Sequence, residues 1–182
     1  QPAPGQVLIR IYAASVNPTD WKQRPIPAGQ LPRIPGRDVA GVIEKLGEGV
    51  SQFKVGDAVW GQVAPVPNAT ANGAYAEYAV APAADFAPKP RRLSFAEASG
   101  LGIATVTGVR AVHYAKVTRG QRVLVNGAAG GVGSAAVQAA KARGAYVIGT
   151  ASGRHGAYLK GIGLDEHIDY TAGDWVARIQ NV

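Results

Sequence analysis

The run Arg122–Lys141, RVLVNGAAGGVGSAAVQAAK, decides how this chain is read. It opens on Val123, Leu124 and Val125, a short apolar run with β-branched ends that predicts a strand buried on both faces. Gly127, Ala128, Ala129, Gly130, Gly131 and Gly133 then predict a tight turn. Past it, Val132, Ala135, Ala136, Val137, Ala139 and Ala140 recur as the packing face of a helix, and Gly144 predicts its stop. Strand, glycine turn and helix, in that order, form the setting in which a dinucleotide fingerprint has physical meaning.

Ala128, Gly130 and Gly133 occupy the three G-x-G-x-x-G positions, with alanine replacing the first glycine. Gly130 lets the backbone approach a pyrophosphate, and Gly133 lets the helix lie close on its strand. Free N–H groups at the helix start favour an anion. The competing reading is a glycine-rich turn in an α/β protein that binds no nucleotide. The following strand, Ala145–Thr150, completes a β-α-β unit and weighs on the choice. A cofactor without a 2′-phosphate usually meets an acid about 20 residues past the glycines. Here Thr150, Ala151, Ser152, Gly153 and Arg154 include none. A hydroxyl and a guanidinium suit a phosphate, so NADPH is favoured over NADH. The plainer alternative for Arg154 is a solvated residue at a helix start.

Composition narrows the classes. The chain has 182 residues, 47% hydrophobic and 17% charged, which suits one or two small globular domains. No apolar run approaches the roughly 18 residues of a membrane helix, and the amino end does not read as a signal peptide. A cytoplasmic protein is expected. With no cysteine, disulfides, thiolate catalysis and Cys-ligated zinc are excluded. His113, His155 and His167 show no ligand spacing, so no metal is expected. The net charge of +7 is spread thinly, without the interleaved aromatics of a dedicated nucleic-acid module. Lys89, Arg91 and Arg92 are the densest basic group and read as a solvated linker, while the overall charge favours an anionic cofactor.

Taken in order, Val7–Ala13 alternates as a strand and Asn17–Asp20 breaks it with a turn. Lys22–Pro35 and Pro65–Asn72 read as loops, and Asp38–Leu46, Ala58–Val63 and Ala74–Val80 as strands. These short strands indicate a β-barrel-like unit ending near Pro90. Ser94-Phe95-Ala96-Glu97 is a capping box. A helix is expected over Val106–Lys116, another ending at Gly161 or Gly163, a strand at His167–Tyr170, and a last helix capped near Thr171 or Asp174. No methionine occurs, and only the first half of a doubly wound sheet is present, so a fragment is expected.

With these pieces placed, the chain resembles the zinc-free branch of the medium-chain dehydrogenase/reductase superfamily, the quinone oxidoreductase and enoyl reductase group that includes zeta-crystallin. The resemblance rests on AASVNPTDWK (Ala13–Lys22), the run Pro35–Gly61, GAYAEYAV (Gly73–Val80), the run Val123–Ser152 and HIDYT (His167–Thr171). It implies an α/β chain: a GroES-like β-barrel domain over residues 1–92, then a Rossmann dinucleotide-binding domain over 93–182, incomplete at its carboxyl end, with NADPH in the cleft between them. By resemblance, Ala129, Gly130, Gly131 and Val132 match the pyrophosphate loop, Ser152 and Arg154 the 2′-phosphate site, and Tyr170 the adenosine. Thr105 and Thr107 begin the helix that faces the nicotinamide in relatives.

Asn17 and Lys22 fall where relatives place polar residues near the nicotinamide, and are the candidate catalytic pair; many quinone reductases have tyrosine at the Lys22 position. Asn17 also reads as a turn-former before Pro18. Where zinc alcohol dehydrogenases carry a cysteine ligand and His-Glu, this chain has Asn17 and Arg37-Asp38. Without a Lewis acid, the chemistry implied is hydride transfer to an acceptor that itself stabilises negative charge, a quinone or an α,β-unsaturated carbonyl. Donors such as Asn17 or Lys22 would stabilise the forming enolate. The alternatives are a non-catalytic NADPH- or RNA-binding crystallin-like protein and an enoyl reductase of polyketide or fatty-acid assembly. The resemblance also implies a homodimer.

Overall fold

Strand β1 (Gln6–Ala14) buries Val7 and Ile9 and turns Arg10 outward, the period-two alternation of a strand with one face on a core. The computed structural model describes residues 1–22, 34–63 and 73–180. They fall into two compact units, Gln1–Ile103 and Ala104–Val182. Most of the Lys22–Pro35 loop and all of Pro65–Asn72 lie outside the described residues.

In the first unit, β1 leads into a one-turn helix, α1 (Pro18–Lys22), where the sequence predicts only a turn. Proline suits the first helical position, and the ends are tied reciprocally. The Asn17 amide donates to Asp20 Oδ2 at 2.7 Å, and the Asp20 amide donates to the Asn17 carbonyl at 2.9 Å. β2 (Asp38–Leu46), β3 (Ala58–Gln62), β4 (Tyr78–Pro82) and β5 (Phe86–Pro88) complete an antiparallel sheet in the order β4-β1-β2-β3-β5. Laid flat, its outer strands would stand about 19 Å apart. A three-residue 3-10 turn, Ala83–Asp85, nevertheless joins them. At about 2 Å of rise per residue that turn cannot cross the gap. The sheet is therefore rolled around Ile9, Val39, Ile43, Val59 and Phe86, as the barrel reading expects.

The expected strand Ala74–Val80 forms only from Tyr78 onward. The amides of Ala74 and Tyr75 bond to the carbonyls of Gly36 and Pro35, each at 3.0 Å, which draws the start of the run away from β1. Only at Glu77, whose carbonyl accepts the Ile11 amide at 2.8 Å, does the chain join the ladder. Helix α2 (Phe95–Ser99) opens with the predicted capping box. Ser94 Oγ accepts the Glu97 amide at 3.2 Å, and the Glu97 carboxylate accepts the Ser94 amide at 2.8 Å. Because α2 packs on β1, β2 and β3, it belongs with the first unit.

The second unit begins at the end of a π-helical stretch, Leu101–Thr105, that runs into α3 (Val106–Tyr114). α3 stops short of the expected Lys116. Lys116 takes a left-handed φ of 51°, and the amides of Lys116 and Val117 bond back to the carbonyls of His113 and Val112. β6 (Arg122–Val125), α4 (Gly131–Ala142), β7 (Tyr146–Ala151), α5 (Gly156–Gly161), β8 (Glu166–Asp169) and α6 (Trp175–Gln180) follow. The three strands are parallel in the order β6-β7-β8.

Two expectations are corrected here. β6 is half-buried rather than buried on both faces, because among the described residues it pairs only with β7. Val132 leaves the α4 packing face and is 41% exposed; Ala135, Ala136, Val137 and Ala140 form that face. Gly144, with φ of 79°, ends α4 as expected. Asp174 Oδ1 accepts the Ala177 amide at 3.2 Å and so caps α6.

Candidate functional site

The glycine turn is held in shape by the neighbouring strand. Thr150, near the end of β7 and only 4% exposed, accepts the Gly127 amide at Oγ1 (3.1 Å) and donates from the same hydroxyl to Asn126 Oδ1 (3.1 Å). Its carbonyl accepts the Ala128 amide at 2.9 Å. Gly130 is the N-cap of α4, with no side chain bonded over the helix end. The first amides of any helix lack intrahelical acceptors, and the macrodipole puts roughly half a positive charge there. Gly133 has no room for a side chain: a Cβ would stand 2.2 Å from the Gly127 carbonyl oxygen.

Beside the turn lies a cavity of about 290 Å³ lined by Gly127, Ala129, Gly130, Ala151, Ser152, His155 and Tyr170. Four of the sequence-predicted residues, Ala129, Gly130, Ser152 and Tyr170, come together there. Gly131 and Val132 stand in the first turn of α4, outside the lining. Arg154 is also outside it, but its Nε donates to His155 Nε2 at 3.1 Å. A dinucleotide diphosphate fits this arrangement: an uncapped helix end, a glycine cradle without side chains and an adjoining cavity.

His155 was missed in the sequence, although it adjoins Arg154 on the short turn after β7. Asp169 was missed too. No acid lies within 150–154, yet Asp169 reaches that turn from β8 and accepts the Gly153 amide. The hydroxyl and amide of Thr171, at 2.6 and 2.8 Å from Oδ1, lead in holding its carboxyl below the usual carboxylate range.

In the first unit the polar centre is Asp38, 1% exposed at the start of β2. Its Oδ2 accepts from Asn17 Nδ2 (2.8 Å), the Ile103 amide (2.8 Å) and Ser15 Oγ (3.1 Å). Gly102 lies so close that a Cβ there would meet Asp38 Oδ1 at 2.2 Å. Asn17, 6% exposed, also donates to Ser15 Oγ at 3.2 Å, so both of its amide hydrogens are committed. Tyr75 donates to Asp20 Oδ2 at 2.9 Å; desolvation of its hydroxyl, then that bond, push its pKa up to about 12. Lys22, exposed at the end of α1, sets its Nζ 5.5 Å from the centroid of the Trp21 ring. Thr105 ends the π-helical stretch, and Thr107 is exposed in the first turn of α3.

Among the described residues, no group of three His, Cys, Asp or Glu side chains is placed to hold a metal ion. No helix among them is long and apolar enough to cross a membrane.

An uncapped helix on a glycine turn, set in a parallel β-α-β-α-β unit behind a rolled antiparallel sheet in the chain, defines a nucleotide-binding α/β protein of the dehydrogenase type. Residues 3–91 match the family described as alcohol dehydrogenase GroES-like domain, and residues 131–182 that described as zinc-binding dehydrogenase. A quinone oxidoreductase of Rattus norvegicus is 42% identical over 87% of this chain and 48% of its own length. A 2-methylene-furan-3-one reductase of Solanum lycopersicum is 40% identical over 91% and 45%. The quinone oxidoreductase structure from Pseudomonas syringae pv. Tomato DC3000 superposes with a TM-score of 0.86 at 37% identity, covering 100% of this chain and 55% of that one. The chain belongs to the medium-chain dehydrogenase/reductase superfamily, in its quinone oxidoreductase group, a pyridine-nucleotide-dependent family. It spans about half the length of the curated relatives it matches.

Proposed function

We propose that this chain serves an NADPH-dependent oxidoreductase that reduces a quinone or an α,β-unsaturated carbonyl without zinc. The observation that carries the reading is the uncapped glycine turn beside a cavity lined by Ser152 and His155, with Arg154 bonded to that histidine. When bound, the reduced nicotinamide supplies the hydride. The main chain at Gly130–Gly133 would take the diphosphate, Tyr170 would lie along the adenosine, and Ser152 with Arg154 would take the 2′-phosphate. The named activities of the rat and tomato relatives support the acceptor class.

The Asp38 centre does not fit a catalytic zinc. Such sites draw on thiolate, imidazole and carboxylate, whereas here a single carboxylate has Oδ2 bonded to an amide side chain, a hydroxyl and a main-chain amide, and its unpartnered Oδ1 stands in no group of three ligating side chains among the described residues. With its hydrogens committed to Asp38 and Ser15, Asn17 is proposed as a positioning residue. Lys22, whose ammonium is exposed, is the proposed donor to the developing enolate.

Titration of NADPH against NADH by fluorescence, followed by 1,4-benzoquinone in the same cuvette, tests this reading. NADPH should bind at least about tenfold more tightly, roughly 1.4 kcal/mol, and be oxidised when quinone is added. Equal affinity or a preference for NADH overturns the cofactor assignment.

Binding without oxidation favours the second reading, a non-catalytic nucleotide- or RNA-binding protein, to which one patch lends support. Tyr12 stacks on Phe95 at 4.7 Å, with Arg10 over Tyr12 and Lys89 over Phe95. Aromatic faces flanked by cations are how sequence-tolerant single-strand sites are built. A preference for enoyl thioesters over quinones would instead select the assembly-line enoyl reductase.

A further inference from the structure

Asn126 precedes Gly127 at the head of the glycine turn, and both are exposed. An asparagine side chain is most open to attack by the next main-chain nitrogen when glycine follows, because no Cβ obstructs the five-membered ring that forms. Gly127 takes a left-handed φ of 67°, and a Cβ built there would meet nothing within 4 Å, so this side of the turn has room for the ring. One hydroxyl joins the two reacting groups. Thr150 Oγ1 accepts the Gly127 amide at 3.1 Å and donates to Asn126 Oδ1 at 3.1 Å. A threonine hydroxyl can do both at once. It is thus placed to take a proton from the nucleophile and to supply one to the oxygen on which charge develops.

We propose that Asn126 is a self-deamidation site whose ring closure runs through Thr150, and whose products close the turn to anions. Gly127 N bonds to Asn126 Cγ; its proton passes to Thr150 Oγ1 as the Thr150 proton passes to Asn126 Oδ1. That proton then moves to Nδ2, the Cγ–Nδ2 bond breaks, and ammonia departs to leave a succinimide. Water opens the ring at either carbonyl. Breaking the bond to Cγ gives aspartate with the main chain intact. Breaking the bond to the main-chain carbon gives isoaspartate, with an extra methylene in the main chain. Water is the only co-reactant.

The consequence for binding rests on the nucleotide reading above. Either product puts a carboxylate, ionised at neutral pH, beside main-chain amides that suit an anion. Isoaspartate also lengthens the chain between β6 and Gly127. The Gly127 carbonyl accepts the Gly130 amide at 2.9 Å, and Gly133 packs against that same carbonyl, so the whole cradle has to shift. Bound nucleotide occupies the turn and should slow the reaction.

Peptide mapping tests the proposal. Trypsin releases Val123–Lys141, in which Asn126 is the only asparagine. Native and urea-unfolded protein are incubated side by side at mildly alkaline pH, and aspartate and isoaspartate at position 126 are followed by mass and by isoaspartyl methylation. Native wild type should convert at least as fast as the unfolded chain. Native Thr150→Val should convert several-fold more slowly and Thr150→Ser at the wild-type rate, while all three should match when unfolded; urea midpoints confirm that each variant folds. If the hydroxyl only braced the turn, its loss would free Gly127 and speed the closure. A Thr150→Val rate equal to or above wild type overturns the proposal, and so does a native chain that stays unconverted while the unfolded one reacts. Deamidated protein, separated by anion exchange, should bind NADPH about tenfold more weakly than fresh protein, and Asn126→Asp should lose a similar factor. Undiminished binding by the deamidated fraction overturns the closing of the turn. Fresh protein that binds no nucleotide overturns the nucleotide reading, while the mass measurement still decides the modification.

Discussion

Around the glycine turn of the second unit, polarity comes from the main chain. Side chains are withdrawn so that amide hydrogens stand open at the end of α4, and one buried threonine holds the turn in place. Around Asp38 in the first unit the arrangement is reversed. There a buried carboxylate gathers Ser15, Asn17 and the Ile103 amide on Oδ2, while its Oδ1 is buried without a hydrogen-bond partner among the described residues. An open set of donors is suited to holding an anion that comes and goes. A buried acceptor that collects donors from three points along the chain is suited to fixing those segments against one another. The contrast matches the roles proposed for the two, an anion site in the first and a clasp in the second.

The largest effect should come from Gly133→Val. Its Cβ would be forced to within 2.2 Å of the Gly127 carbonyl oxygen, so the turn has to open. Nucleotide binding should weaken at least about a hundredfold, and urea unfolding should show a loss of about 3 kcal/mol. Wild-type affinity in this variant would mean that the turn is not the anion site. Next, Asp38→Leu strands three donors that share one oxygen. A loss of about 2 to 3 kcal/mol is expected in the unfolding of the first unit. A change below about 0.5 kcal/mol would show that the clasp adds nothing to stability. Smallest should be Thr150→Val, which keeps the shape of the side chain but frees Gly127 and Asn126. About 1 kcal/mol of stability should go, with nucleotide affinity falling several-fold by calorimetry. Unchanged affinity would show that the turn holds its shape without its side-chain brace.

The same contrast sets what could be read in advance. Val123–Val125, the glycines and Gly144 mark strand, turn and helix because backbone geometry demands those residue types at those places. Ser94 and Glu97 likewise announce a helix start through a local bond. The Asp38 clasp draws on residues 15, 17, 38 and 103, and no periodicity links positions so far apart. Thr150 and Asn126 are separated by 24 positions for the same reason. The misplaced strand start has a similar cause: Ala74–Val80 alternates convincingly, but Gly36 and Pro35 capture its first amides. Val132 was misplaced because it fits the helical spacing and yet stands in the opening turn, before α4 reaches the sheet.

The rolled sheet of the first unit also bears on how the chain behaves in a crowd. An open sheet offers its margins to any passing strand, and that is how many proteins begin to aggregate. Here the marginal strands are β4 and β5, five and three residues long, and each ends in a proline, Pro82 and Pro88. Proline has no amide hydrogen to donate, and so short a strand gives a newcomer little to align with. The turn that curls the sheet thus joins two margins on which another chain finds little foothold.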